Sequence, residues 1–238
     1  MSDVLYEKRG HVAHVTLNRP ERLNAYRGQT FRELEAIWQQ VNADDDVWCV
    51  ILTGAGRAFC AGFDMKAGPD EGVRGIPRFD GHENRIEVWK PIIAAINGYA
   101  YGGGLSMAAS CDIRIAAEGA TFAESQVKRG IIGPHSTITL MEVLPRAIAM
   151  EMILTGDPIS AQDAFRVGLV NAVVPPEELM AAAEAMAERI CRNAPLAVWA
   201  SKESALGLAT RHEYRTSADA EEGRRAFVEK RAADFQGR

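Results

Sequence analysis

Hydrophobic and polar positions along this chain alternate between two rhythms. In HVAHVTLNRP, residues 11–20, Val12, His14 and Thr16 interleave with the residues between them at the two-residue period of a strand, and Asn18-Arg19-Pro20 supplies turn chemistry at its end. A helix follows, with Thr30 and Glu33 as a capping box and Leu34, Ile37, Trp38 and Val41 at helical spacing up to the turn at 42–46. VWCVILTG at 47–54 is a continuous apolar, β-branched run of the kind found in sheets covered on both faces. PIIAAING at 91–98, after the amphipathic stretch NRIEVWK, and CDIRIAAE at 111–118 repeat it.

Beyond Gly133 the pattern turns helical. Pro134 suits a first helical turn, and Ser160 with Asp163 forms a cap ahead of Ala164 and Phe165. EELMAAAEAMAERICRN after Pro176 and SADAEEGRRAFVEKRAADF near the end both read as amphipathic helices. The order predicts one α/β core over residues 1–175 and a helical region over 176–238.

Composition narrows the function classes. Of 238 residues, 47% are hydrophobic, enough to build a large core, and the formal charge of −5 with scattered basic residues argues against a nucleic-acid partner. The N-terminal MSDVLYEKRG lacks the apolar core of a signal peptide and no apolar run reaches membrane-spanning length, so the expectation is a cytoplasmic protein with no membrane partner. Cys49, Cys60, Cys111 and Cys191 are widely spaced, and His11, His14 and His212 stand outside any ligand spacing. Neither disulfides nor a metal is expected.

The chemistry concentrates in two glycine-bearing turns that follow buried strands, TGAGRAFCAGFDMK at 53–66 and NGYAYGGGLSMA at 97–108. The first is not a dinucleotide fingerprint, because Phe59 stands where the third glycine belongs, and no Walker A sequence is present. Two backbone N–H donors from separate loops are instead how an acyl oxygen is gripped as it becomes negative.

Five segments in order, LNRPERLNA at 17–25, GRAFCAGFDMK at 56–66, PIIAAINGYAYGGG at 91–104, CDIRIAAEGATFAESQVKRGI at 111–131 and LTGDPISAQDAFRVGLVNAVV at 154–174, resemble the signatures of the crotonase superfamily, the enoyl-CoA hydratase/isomerase family. The resemblance covers nearly the whole chain. It implies an α/β spiral of ββα units with a C-terminal helical region, a homotrimer or dimer of trimers, and an acyl-CoA thioester as substrate, with no cofactor beyond the CoA moiety. It makes the N–H groups of Phe63 and Gly103 the oxyanion hole, with the glycines clearing space for the approaching substrate. Each such donor supplies roughly 2.7–4 kcal/mol to an enolate-like transition state. The resemblance also sets CoA against Arg22, Leu23, Ala61, Asp64, Met65 and Lys66, with the adenine near Ala61 and the phosphates near Arg22 and Lys66.

The chain departs from the family where chemistry is done. Family hydratases carry two glutamates at positions held here by Ser106 and Gln126, neither of which serves as a carboxylate base near neutral pH. His135 is the preferred replacement, since an imidazole at a helix start stays neutral and suits proton transfer. Glu124 is the other. It shares a face with Gln126 if the segment is extended, separates from it if the segment curls, and has Lys128 and Arg129 as available ion-pair partners. His82 is a candidate wall residue, and Trp89, Tyr99 and Tyr101 line either an acyl pocket or the core.

Three readings follow. The first is an enoyl-CoA hydratase/isomerase-type lyase or isomerase that stabilises a thioester enolate. The second is a catalytically silent acyl-CoA-binding homologue. The third is a serine hydrolase on a related Clp-like spiral, using Ser106 with His135, although no aspartate is placed to orient the histidine.

Overall fold

The computed structural model describes residues 2–67 and 88–238. His82 and the first part of NRIEVWK lie outside the described residues. The strands are β1 (Val4–Arg9), β2 (Val12–Leu17), β3 (Cys49–Gly54), β4 (Ala58–Cys60), β5 (Ile92–Ile96), β6 (Tyr99–Tyr101), β7 (Ile113–Ala117), β8 (Thr121–Ala123), β9 (Ile159–Ser160) and β10 (Ala172–Val174). The helices are α1 (Gly28–Ala43), α2 (Gly103–Ala109), α3 (Pro134–Val143), α4 (Arg146–Thr155), α5 (Ala161–Arg166), α6 (Leu179–Cys191), α7 (Pro195–Ala205) and α8 (Ala218–Glu229).

Two sheets share these strands. The larger runs β1-β2-β3-β5-β7-β10 and the smaller β4-β6-β8-β9. After the antiparallel β1–β2 hairpin, β3, β5 and β7 each give one strand to the large sheet, and the chain then passes at once into β4, β6 or β8 of the small one. This repeated step is the expected spiral of ββα units, an α/β fold.

The large sheet is apolar on both faces because both are covered. Val50, Leu52, Ala94, Ile96 and Ala116 face the main core with Leu34, Ile37 and Val41 of α1. Cys49, Ile51, Ile93, Ala95, Ile115 and Ala117 face Leu179, Ala183 and Ala187 of α6, whose alanines let the helix lie close. Residues 179–191 therefore form one wall of the sheet's packing. Among the described residues no helix is long and apolar enough to cross a membrane.

Local signals fare unevenly. Ser160 caps α5, accepting from the Asp163 N–H at 3.1 Å, and Pro134 opens α3. Thr30 is not the N-cap of α1 but closes its capping box from the third position, with Arg27 as the N-cap. The helix begins at Gly28, with Thr30 Oγ1 accepting from the Arg27 N–H at 3.1 Å and donating to Asp3 at 2.8 Å, because the N-terminal aspartate draws this turn into a buried network with Arg27.

RLNA holds two left-handed residues at its centre, Leu23 at φ 53 and Asn24 at φ 55. Asn24 stabilises that conformation. Its side chain is buried, donates to the carbonyls of Ala55 (2.9 Å) and Ala58 (2.7 Å), and accepts from the Arg19 N–H (2.9 Å), tying the turn to the start of β4. We expect Asn24→Ala to lose roughly 2–4 kcal/mol of stability by urea unfolding, from orphaned buried partners and a left-handed alanine. A loss within about 0.5 kcal/mol, the range of ordinary surface changes, would show that the turn is held by other contacts.

Candidate active site

The two glycine turns meet. Past β4 the chain enters Gly62 at φ 92, and the loop is held as a one-residue bridge: the Tyr26 N–H donates to Gly62 O and the Asp64 N–H donates to Tyr26 O, both at 2.9 Å. Because both bonds use the flanking residues, the Phe63 N–H faces away from Tyr26 and has no acceptor among the described residues. Past β6, the Gly102 N–H donates to Ala123 O at 2.7 Å, and Gly103 opens α2 with an N–H that has no partner within the helix. A methyl group placed on Gly62 would lie 3.3 Å from Gly103 N and 2.7 Å from Tyr101 O, so the backbones carrying Phe63 and Gly103 are in contact.

The glycine run is required by the protein's own packing, a reason that stands beside the expected approach of substrate. Gly102 takes φ 53 with ψ −121, a conformation open to glycine. A β-carbon on Gly103 would overlap the Tyr26 hydroxyl, and one on Gly104 would overlap the Cys60 carbonyl. Tyr26 is buried, with its ring edge-on to Phe31 (4.9 Å) and Phe63 (5.4 Å). Burial, with smaller effects from Cys60 and Glu124, pushes its phenol up and keeps it neutral.

Beside Gly102 lies a buried polar cluster. The segment after β8 curls into a short 3-10 turn, Ser125–Arg129, yet Glu124 and Gln126 do not separate, because Ser136 of α3 reaches both. Gln126 Nε2 donates to Ser136 Oγ at 3.1 Å, and Ser136 Oγ lies 2.6 Å from Glu124 Oε1 and 2.9 Å from Gly133 O. Glu124 Oε2 and Gln126 Oε1 are buried with no partner among the described residues. A β-carbon on Gly133 would collide with Ser136 and Gln126, and one on Gly102 would lie 3.3 Å from the Gln126 amide. The cluster thus closes around two glycines. Among the described residues Glu124 makes no ion pair; Lys128 turns instead to Asp157 at 2.5 Å. Burial, opposed in part by the Ser136 hydrogen bond, pushes the Glu124 carboxyl up to about 7.

Ser106 is buried on α2, and its hydroxyl has no partner among the described residues. His135 is the second residue of α3, and its side chain lies outside the described part. Ser136 was not among the sequence candidates. It has no diagnostic spacing from Glu124 or Gln126 and is brought to them by the fold.

Of the residues expected at CoA, Leu23 and Ala61 are joined by an Ala61 N–H to Leu23 O bond of 3.0 Å. Arg22, Met65 and Lys66 are exposed around them. Asp64 is engaged within the protein: it is buried, accepts from Arg19 at 2.9 Å and from the Lys66 N–H at 3.0 Å, and braces the loop. Burial would raise its carboxyl, but these bonds and the Arg19 charge outweigh that and hold it low. Tyr99 and Tyr101 pack edge to face at 5.5 Å, with Tyr101 bonded to Thr121 at 3.0 Å. Trp89 lies under Arg211 beside His212, against the C-terminal helical region. Among the described residues no group of histidine, cysteine and acidic side chains is placed to hold a metal.

The enoyl-CoA hydratase/isomerase family profile matches residues 7–238. An (E)-benzylidenesuccinyl-CoA hydratase of Thauera aromatica is 42% identical over 253 aligned positions, covering 98% of this chain and 99% of that protein. A short-chain-enoyl-CoA hydratase of Clostridium acetobutylicum is 41% identical, covering 86% and 81%. The crystal structure of an enoyl-CoA hydratase from Mycobacterium tuberculosis superposes with a TM-score of 0.90 at 36% identity, over all of both chains. With a family match across almost its entire length and a common fold, this chain belongs to the enoyl-CoA hydratase/isomerase family of the crotonase superfamily.

Proposed function

We propose that the protein is an enoyl-CoA hydratase-type lyase in which the carboxylate role has moved from the two usual positions to Glu124. The observation that carries this is the buried Glu124–Ser136–Gln126 cluster against Gly102, next to the two N–H groups that the resemblance assigns to the thioester oxygen. A carboxyl with a pKa near 7 is present in substantial amounts as both acid and base at neutral pH.

The chemistry follows from the donors and acceptors. The N–H groups of Phe63 and Gly103 hold the thioester oxygen of an α,β-unsaturated acyl-CoA. Gln126 commits its amide N–H to Ser136, leaving Oε1 to accept from a water. Glu124 takes a proton from that water as its oxygen bonds to the β-carbon. The electron pair of the double bond moves onto the thioester oxygen as an enolate, and Glu124 returns the proton to the α-carbon. Ser136 has one hydroxyl proton for two acceptors: it serves Glu124 when the carboxylate is charged, and can turn to Gly133 O when Glu124 is protonated and itself donates. The CoA arm runs past Arg22, Leu23, Ala61, Met65 and Lys66. Phe227 and Val228 of α8, 85% and 78% exposed, favour a homotrimer or dimer of trimers that covers them.

Crotonyl-CoA hydration should rise with pH through about 7 and level off as Glu124 ionises. Glu124→Gln should lower kcat on the order of 10²–10⁴-fold with KM little changed. An unchanged rate in that variant would move the base to His135. Binding of acyl-CoA without wild-type turnover would favour the silent-homologue reading.

Stability should carry the same signature. The folded-state pKa of Glu124 lies above its ordinary 4.5, so between about 4.5 and 7 the folded chain keeps a proton that the unfolded chain has lost. Stability therefore falls as pH rises through that window, and the cost is complete above it. Relative to wild type, Glu124→Gln should gain about 3 kcal/mol between pH 4 and pH 8 in urea unfolding. An equal difference at both pH values would mean that Glu124 is not shifted.

A further inference from the structure

The Tyr26 hydroxyl is left over from the chemistry above. The side chain is 8% exposed, and its oxygen, which is not among the side-chain atoms cut off from solvent, has no hydrogen-bond partner among the described residues. Its position is tightly set. Tyr26 backbone atoms bond to Gly62 and Asp64 on either side of Phe63, and its ring is wedged edge-on between Phe31 and Phe63. The hydroxyl rests where a β-carbon of Gly103 would be, so only glycine at 103 lets it stand there. An unpaired donor is thus held at the seam between the two residues whose N–H groups face the substrate.

We propose that the Tyr26 hydroxyl is a third hydrogen-bond donor to the thioester oxygen, joining Phe63 and Gly103 as that oxygen becomes an enolate. This rests on the oxyanion-hole reading and deepens it. A neutral phenol in a buried site donates without adding a formal charge, and its strength grows as charge builds on the acceptor, which favours the transition state over the ground state. The unpaired hydroxyl then has its partner in the substrate.

The test uses Tyr26→Phe, which keeps the ring and removes only the oxygen, and reads the carbonyl stretch of bound [1-13C]butyryl-CoA by difference infrared spectroscopy. This saturated thioester cannot be hydrated. In the wild type the stretch should move to lower frequency than in free thioester. In Tyr26→Phe part of that shift should be lost, and crotonyl-CoA hydration should fall on the order of a hundredfold in kcat with KM little changed. A full shift retained in the variant overturns the role of Tyr26 and leaves the oxyanion hole standing, whatever happens to the rate. No shift in the wild type overturns the oxyanion-hole reading and the Tyr26 role with it. Should Tyr26→Phe fail to fold, 3-fluorotyrosine placed at position 26 supplies a more acidic donor and should deepen the shift; an unchanged stretch overturns the proposal.

Discussion

The bridge between Tyr26 and the loop at Gly62–Asp64 is the constraint on which the site depends. Two backbone hydrogen bonds of 2.9 Å hold the loop against the turn before α1, and they leave Phe63 between them with its N–H directed outward. The same residue sends its ring into the core and its hydroxyl against Gly103, so one side chain registers both glycine turns. Asn24 and the Arg19–Asp64 pair hold the two ends of this arrangement. The Asn24 and Asp64 side chains are buried and hydrogen-bonded, which is what allows a loop rather than a strand to fix donor positions.

A second constraint is the burial of a carboxylate with no cation beside it among the described residues. Glu124 has a serine and a glutamine for neighbours where an ion pair would have held its pKa down. The cost of charging it falls on the folded state, and such a cost is a frequent mark of sites that move protons. The close fit of Gly133 and Gly102 around the cluster shows how little space the fold leaves for any other side chain there.

Much of the architecture was legible along the chain. The three apolar runs at β3, β5 and β7 announced a covered sheet, Ser160 and Pro134 marked helix starts, and the signature segments pointed to the family. What went unread was short or non-local. The strands β4, β6 and β8 span three residues each, too few to show a period, and β1 is an edge strand whose polar, exposed positions hide its pairing. Thr30 looked like the N-cap because the four-residue pattern is local, whereas the buried Asp3 that claims it is 27 residues away.

The sequence by itself pointed to an α/β chain through local periodicity and turn chemistry, and to the family and its fold through residue identity at the signature segments. Only the tertiary structure decided what the three glycines make room for, that Asp64 braces a loop, and that Glu124, Gln126 and Ser136 form one cluster. Those outcomes depend on which groups from distant segments come within hydrogen-bond reach, on the water removed around them, and on the volume left at a single α-carbon. None of these quantities is carried by any one stretch of chain.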